Sequence, residues 1–184
     1  MSDFITNTRL HSSLQQVNEG LDYILNNHMN WDQHNQIGLR HRENCENQWT
    51  DSIGSLYVNK VKIASESDFS IWNDDLPEHI KSMLTLLANV ENISWGRIRF
   101  MRLMPKTGLS IHIDTEPRYH LVIKTNNNVI FGECFKNNNV RTTGYVIPSD
   151  GWWYKVDTTR EHFVYNGGWE PRIHLVGCPI KRLD

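Results

Sequence analysis

From Trp95 onward the chain breaks into short β-rich runs separated by turn residues, and this rhythm limits the possible folds more than any other feature. The runs lie near 96–104, 109–114, 119–125, 129–135, 144–148, 152–157, 162–166 and 172–178. Between them stand Pro105-Lys106-Thr107-Gly108, Asn126-Asn127-Asn128, Asn137-Asn138-Asn139, Pro148-Ser149-Asp150-Gly151 and Asn166-Gly167-Gly168. Such residues tolerate the backbone angles of tight turns. Short strands joined by tight turns pair with their neighbours in antiparallel fashion. Eight of them predict an antiparallel sandwich or barrel.

The part before Trp95 reads differently. Leu10, Leu14, Val17, Leu21, Ile24 and Leu25 recur at helical spacing, with Thr6 or Thr8 as the cap and Asn26-Asn27 as the end. Residues 30–50 are polar and irregular, apart from a short alternating stretch at Gln36–Arg40. Ser55 to Val61 reads as another strand. A second helix is expected from about Asp75 to Asn89. Pro77 falls in its first turn, and Ile80, Met83, Leu84, Leu87 and Val90 form its apolar stripe. No repeat, linker or composition break divides the chain. Residues 1–184 therefore read as one domain, with a helical and irregular part (about 1–94) buttressing a β core (about 95–180).

A formal net charge of −2 provides no global field toward nucleic acid, so no nucleic-acid partner is expected. No apolar run reaches transmembrane length, so no membrane is expected either. The first ten residues lack the charged and apolar regions of a signal peptide. Cys45, Cys134 and Cys178 are too scattered for a disulfide framework or a thiolate metal site. Reduced thiols fit a cytoplasmic location.

Candidate chemistry centres on His112-Ile113-Asp114, inside the expected strand Leu109–Asp114. Residues i and i+2 of a strand share a face, so an imidazole and a carboxylate would project together. A triplet of this kind alone is weak evidence. A third ligand is available in His162, which opens a late strand. In a double-stranded β-helix, an early strand and this late strand are neighbours. His112, Asp114 and His162 would then form a two-histidine, one-carboxylate face with positions left open, the arrangement of non-haem Fe(II) oxygenases. Arg172 follows His162 by ten positions (172 − 162 = 10) and starts the strand Arg172–Val176. Its guanidinium can grip a carboxylate in two-point fashion, or it can pair structurally with Asp114 or Glu170. Arg118 and His120 share one face of the strand after His112, while Tyr119, Leu121 and Ile123 take the core face. An inward-facing basic pair is costly without an anion. The plainer readings are a surface arginine and a satisfied core histidine.

At these residues the sequence resembles the aspartyl/asparaginyl β-hydroxylase family of 2-oxoglutarate-dependent oxygenases, which also includes free-proline cis-hydroxylases. The resemblance covers about Arg99 to Val176. It rests on Met104-Pro105-Lys106-Thr107-Gly108, His112-Ile113-Asp114, Arg118-Tyr119-His120-Leu121, and His162-Phe163-Val164-Tyr165-Asn166 followed by Arg172. It implies a mainly β, double-stranded β-helix (jelly roll, cupin-like) with N-terminal buttressing helices. It implies Fe(II) bound by His112 and His162, with Asp114 completing the triad, and 2-oxoglutarate as cosubstrate alongside O2. Arg172 would hold the distal carboxylate of 2-oxoglutarate, with Arg118 and His120 contributing to that pocket. The expected reaction hydroxylates an unactivated C–H of an amino acid or peptide side chain and releases succinate and CO2. Two departures stand out. The animal peptide hydroxylases lack the acidic ligand that Asp114 supplies, which places this chain nearer the small-molecule branches. Met101 falls where those enzymes carry a cosubstrate-binding serine.

Rival readings follow from the same residues. A cupin-like domain would bind metal without 2-oxoglutarate chemistry. A nucleic-acid demethylase of the same superfamily would want a basic groove, for which Arg97, Arg99, Arg102 and Lys106 are the local candidates. A non-enzymatic β-sandwich interaction module would make the histidines incidental. Trp152, Trp153, Tyr145 and Trp169 are candidates to line a substrate site, with burial in the core as the alternative.

Overall fold

The structure is a computed structural model, and it describes residues 3–137 and 139–180. In chain order the elements are β1 (Ile5–His11), α1 (Leu14–Asn27), β2 (Gln36–Gly38), β3 (Arg40–His41), β4 (Tyr57–Val58), β5 (Val61–Lys62), a 3-10 turn (Glu66–Asp68), β6 (Ile71–Trp72) and α2 (Glu78–Val90). Then come β7 (Ser94–Leu103), β8 (Thr107–His112), β9 (Arg118–Lys124), β10 (Val129–Asn137), β11 (Asn139–Tyr145), β12 (Trp152–Val156), β13 (His162–Asn166) and β14 (Arg172–Ile180). A six-stranded sheet has the order β1-β12-β9-β14-β7-β2, and a four-stranded sheet has the order β11-β10-β13-β8. The pairings are antiparallel throughout. The architecture is the expected double-stranded β-helix with two helices against it.

The larger sheet has two working faces, set by strand alternation. Ile98 and Phe100 of β7, Tyr119 and Leu121 of β9, Trp153 of β12 and Leu175 of β14 face the helices. They pack with Val17, Leu21, Ile24, Ile80, Leu84 and Leu87. Each fully buried aliphatic side chain contributes on the order of 1.5–3 kcal/mol. A smaller cluster, Phe4, Val122, Phe131, Ile147, Val156 and Val164, fills part of the space between the sheets. The rest of that space is polar and forms the cavity.

Several boundaries differ from the sequence reading. Helix α1 starts at Leu14, not Leu10, with the Ser13 hydroxyl accepting from the Gln16 amide. Residues 5–11 instead form β1, paired on the edge of the sheet with β12. The alternation of Thr6, Asn7, Thr8 and Arg9 is polar because the strand is an edge, so the helical phase of Leu10 masked it. Ser55–Val61 is not one strand. Asn59 (φ 50°) and Lys60 (φ 67°) turn the chain left-handed between β4 and β5, which makes a small hairpin. Pro77 caps α2 rather than entering its first turn, and Val90 is exposed. The strand expected at 144–148 lies at 139–145. Of the expected Asn137-Asn138-Asn139 turn, Asn138 lies outside the described residues, and Asn137 faces Asn139 across the hairpin.

Candidate metal centre

His112 ends β8 and His162 begins β13, and the two are direct partners across the antiparallel ladder. Their rings lie 4.2 Å apart, centroid to centroid. The strand stops at His112, one correction to the sequence reading. Asp114 lies just beyond, where its amide donates to the Thr158 carbonyl at 2.8 Å. The carboxylate still reaches the histidines, with Asp114 Oδ2 3.9 Å from His162 Nε2. One ligand atom from each of the three side chains falls within 4.8 Å of the others.

The tautomers suit a metal. His112 Nδ1–H donates to the Ser110 carbonyl at 2.7 Å, and His162 Nδ1–H donates to the Arg160 carbonyl at 2.9 Å. Each ring therefore keeps its proton on Nδ1 and offers the Nε2 lone pair, the outer-shell device that fixes metal-binding histidines. Burial pushes the His162 pKa down, which also favours the neutral, ligating form. A first-row divalent ion bonds such groups at roughly 2.0–2.2 Å. A small inward movement of the side chains would close the gap around it.

The remaining sequence candidates line the same cavity. Its inner part, about 110 Å³, has the three ligands, Arg118, His120 and Arg172 in its walls. It opens into a mouth of about 690 Å³ between β7, β8 and the β4–β5 hairpin. Arg172 is buried and meets no carboxylate among the described residues. Its Nη2 donates to His174 Nδ1 at 2.6 Å, its Nε has no partner, and its guanidinium lies over Phe131. Burial alone lowers its pKa to about 9. Glu170, the structural partner considered above, instead pairs with Lys124 on the surface. Because Arg172 must donate to His174 Nδ1, the His120 Nδ1 at 3.3 Å from that atom is also a donor. His120 Nε2 is then a bare acceptor, buried without a partner, as is His174 Nε2–H as a donor. Burial, reinforced by Arg172, holds both rings well below the usual histidine pKa.

Arg118 is neither at the surface nor free. Its Nε donates to Asp114 Oδ2 at 3.2 Å and its Nη2 to Glu66 Oε1 at 3.0 Å, while Nη1 is buried without a partner. Glu66 also takes a two-point bond from Arg97, at 2.8 and 3.0 Å. Burial would raise the Glu66 pKa, but Arg97 and Arg118 outweigh it and hold the carboxyl below its ordinary value. Arg99 is the fourth arginine of the cavity. It contacts Gln36 and Cys178 but no carboxylate, and its Nε has no partner. Four guanidinium groups thus face two carboxylates, Glu66 and Asp114, among the described lining residues.

The aromatic candidates lie elsewhere. Trp153 is fully buried on the helix side, its Nε1–H donating to Ser12 Oγ. Trp152 packs against His11, and Tyr145 bonds Glu133 beside Phe4. Trp169 is 82% exposed under Lys106. The aromatic wall of the inner cavity is Phe131 instead. Met101 lines the cavity from β7. Glu66 and His174 were missed as site residues, and Arg97 and Arg99 were considered only as part of a nucleic-acid groove. For Arg97 and Arg99 the signal was there, since their alternation with Ile98 and Phe100 puts both on the cavity face of β7.

No curated protein matches the chain in sequence. Among solved structures, AviO1 from Streptomyces viridochromogenes Tue57 is 13% identical, with a TM-score of 0.51 over 95% of this chain and 88% of that one. At that identity the likeness is one of fold. A prolyl-4-hydroxylase of Pseudomonas putida has a TM-score of 0.47 at 12% identity, covering 60% of this chain and 70% of that one. A 2OG-Fe(II) oxygenase family oxidoreductase of Burkholderia pseudomallei has a TM-score of 0.45 at 15% identity, covering 56% of this chain. The chain spans 58% of that protein's length. The family model described as Aspartyl/Asparaginyl beta-hydroxylase matches residues 11–178, from the end of β1 through all three metal-capable side chains and into β14. The chain belongs to the aspartyl/asparaginyl β-hydroxylase family.

Proposed function

We propose that residues 1–184 form a single Fe(II)- and 2-oxoglutarate-dependent oxygenase domain. It hydroxylates an unactivated C–H of an amino acid or a peptide side chain and releases succinate and CO2. The observation that carries this reading is the pairing of His112 with His162, both with Nδ1–H tied to carbonyls and Nε2 bare, beside the Asp114 carboxylate. These three residues would hold the iron, which supplies the activation of O2 when bound. The other residues bind and orient.

Arg172 supports the cosubstrate assignment. A buried guanidinium without a counter-ion is costly, and the distal carboxylate of 2-oxoglutarate would satisfy it. Its unpartnered Nε is a donor free to take a carboxylate oxygen. Arg118 Nη1, also buried without a partner, faces the same space and would complete the cradle, with His120 in its wall. Leu109, Phe131, Val164 and Val176 give the inner wall an apolar part, which would help exclude water from the reacting centre. Arg99, without a carboxylate partner near the mouth, favours a substrate that brings a negative group of its own. A cytoplasmic setting fits the chemistry, and no described helix is long and apolar enough to cross a membrane.

The test is aerobic turnover with Fe(II) and 2-oxoglutarate, read as succinate formed, across free amino acids and peptides. Succinate that rises with one substrate, together with a product heavier by one oxygen, supports the reading. Metal binding without any dependence on 2-oxoglutarate would favour the cupin-like alternative.

A further inference from the structure

We propose that Glu66 is a positioning residue for the metal centre: by taking the Nη2 donor of Arg118, it prevents that guanidinium from closing on both oxygens of Asp114 and so leaves Asp114 available to a metal. The inference rests on the metal reading given above.

The geometry is that of an arginine shared between two acids. Nε and Nη2 form the edge with which a guanidinium grips one carboxylate side-on. Arg97 uses that edge on Glu66, at 2.8 and 3.0 Å, and Arg42 uses it on Asp51. In Arg118 the edge is split. Nη2 goes to Glu66 at 3.0 Å, and Nε alone goes to Asp114, at 3.2 Å. One oxygen of Asp114 is engaged by a single, long contact, and the other receives no guanidinium hydrogen bond. With the Glu66 carboxylate removed, the whole edge would be free to swing onto Asp114, four residues away on the same segment. A carboxylate forked by a buried arginine commits a lone pair of each oxygen and is held in the plane of the guanidinium, which makes it a poorer metal ligand.

Glu66 is built into this place rather than resting there. Its side chain is 8% exposed. The 3-10 turn that carries it lies flat on β7, because Gly96 has no side chain: a Cβ there would lie 2.5 Å from the Glu66 carbonyl oxygen. Arg97, on the same strand, fastens the carboxylate from the other side. The N-terminal part of the chain thus reaches the metal centre through one carboxylate and one shared arginine.

The test measures Mn(II) affinity by calorimetry on the intact protein for the wild type, Glu66→Gln, Arg118→Met and the double variant, with thermal melts to establish folding. Loss of an outer-shell partner weakens metal binding by about 10–100-fold, and that loss is expected for Glu66→Gln. If Glu66 acts through Arg118, the same change in the Arg118→Met background should alter affinity by less than about twofold, because there is no guanidinium left to restrain. An unchanged Glu66→Gln affinity overturns the inference. So does an equal loss in both backgrounds, which would make Glu66 a direct or merely structural contributor. If Glu66→Gln fails to fold alone, the double variant, which loses one charge of each sign, is compared with Arg118→Met. A difference above about fivefold there overturns the inference. A wild type that binds no Mn(II) overturns the metal reading and this inference together. Wild-type binding with an indifferent Glu66 overturns this inference alone.

Discussion

At the scale of single residues, the cavity is organised by which donors and acceptors remain unpaired. Arg172 Nε, Arg118 Nη1 and His120 Nε2 are buried without partners. In a folded chain such groups cost on the order of 1–3 kcal/mol each unless a ligand satisfies them. On the proposed reading, Arg172→Met should weaken 2-oxoglutarate binding by about 100-fold or more, in line with roughly 3 kcal/mol for a charged hydrogen bond. Metal affinity should stay within a few-fold of wild type, and comparable losses of both would mean that Arg172 is structural. Asp114→Ala should weaken metal binding, which a titration with Fe(II) under anaerobic conditions checks. Unchanged iron affinity would leave the two histidines as the whole site. The three ligand candidates were legible because their chemistry is rare and their spacing matches strand geometry. Glu66 was not: a lone glutamate in an irregular segment carries no periodic signal, and its meaning comes from Arg97 and Arg118 meeting it in space.

At the scale of elements, the strands do the positioning. β7, β9 and β14 send alternate side chains to the cavity and to the helices, so Arg97, Arg99, Arg118, His120, Arg172 and His174 share one face. That alternation was readable for β9, where the arginine and histidine fell opposite Tyr119 and Leu121. The late β strands were readable because turn residues bracket them. The short edge elements were not. β1 takes its stability from pairing with β12, and its residues are half or fully exposed. An edge strand of that kind has no apolar pattern to display. The 3-10 turn offers a direct test of how elements meet. Gly96→Ala would press a methyl group into the Glu66 backbone, and overpacking of this kind costs about 1–3 kcal/mol. We expect a lower melting temperature together with weaker metal binding. Lowered stability with unchanged metal affinity would separate the turn from the site. A core change of similar cost far from the turn, Leu84→Val between α2 and the sheet, should lower stability and leave metal affinity alone.

At the scale of the whole molecule, buried ionisable groups couple stability to pH. His120 and His174 are held neutral by burial, with folded pKa values well below 6.5. The unfolded chain takes up protons near 6.5 that the folded chain refuses. Their contribution to stability is therefore complete above that pH and falls away as the pH drops below it. Glu66 works in a lower window. Its folded pKa is depressed below 4.5, so its contribution is present above 4.5 and is lost on further acidification. Melting temperatures of the metal-free protein should thus decline in two stages as the pH is lowered. His174→Leu should flatten the first stage, and an unchanged slope would show that other groups dominate it.

Strand β8 lies at the outer edge of the smaller sheet, paired along one side with β13, and Thr107 to Ile111 are all exposed. Its last residue is His112, and the metal partner across the ladder is His162, fifty positions further on (162 − 112 = 50). An ion held between them would act as a removable rivet, closing a long loop and clamping the loose end of an edge strand. Amide hydrogen exchange should report this directly. Chelation should speed exchange along β8 and the Asp114 segment more than along β9 or β14, whose hydrogen bonds are covered on both sides. The floor of the cavity would then keep its shape without metal while one wall breathes, so metal loading would also decide how freely ligands enter and leave.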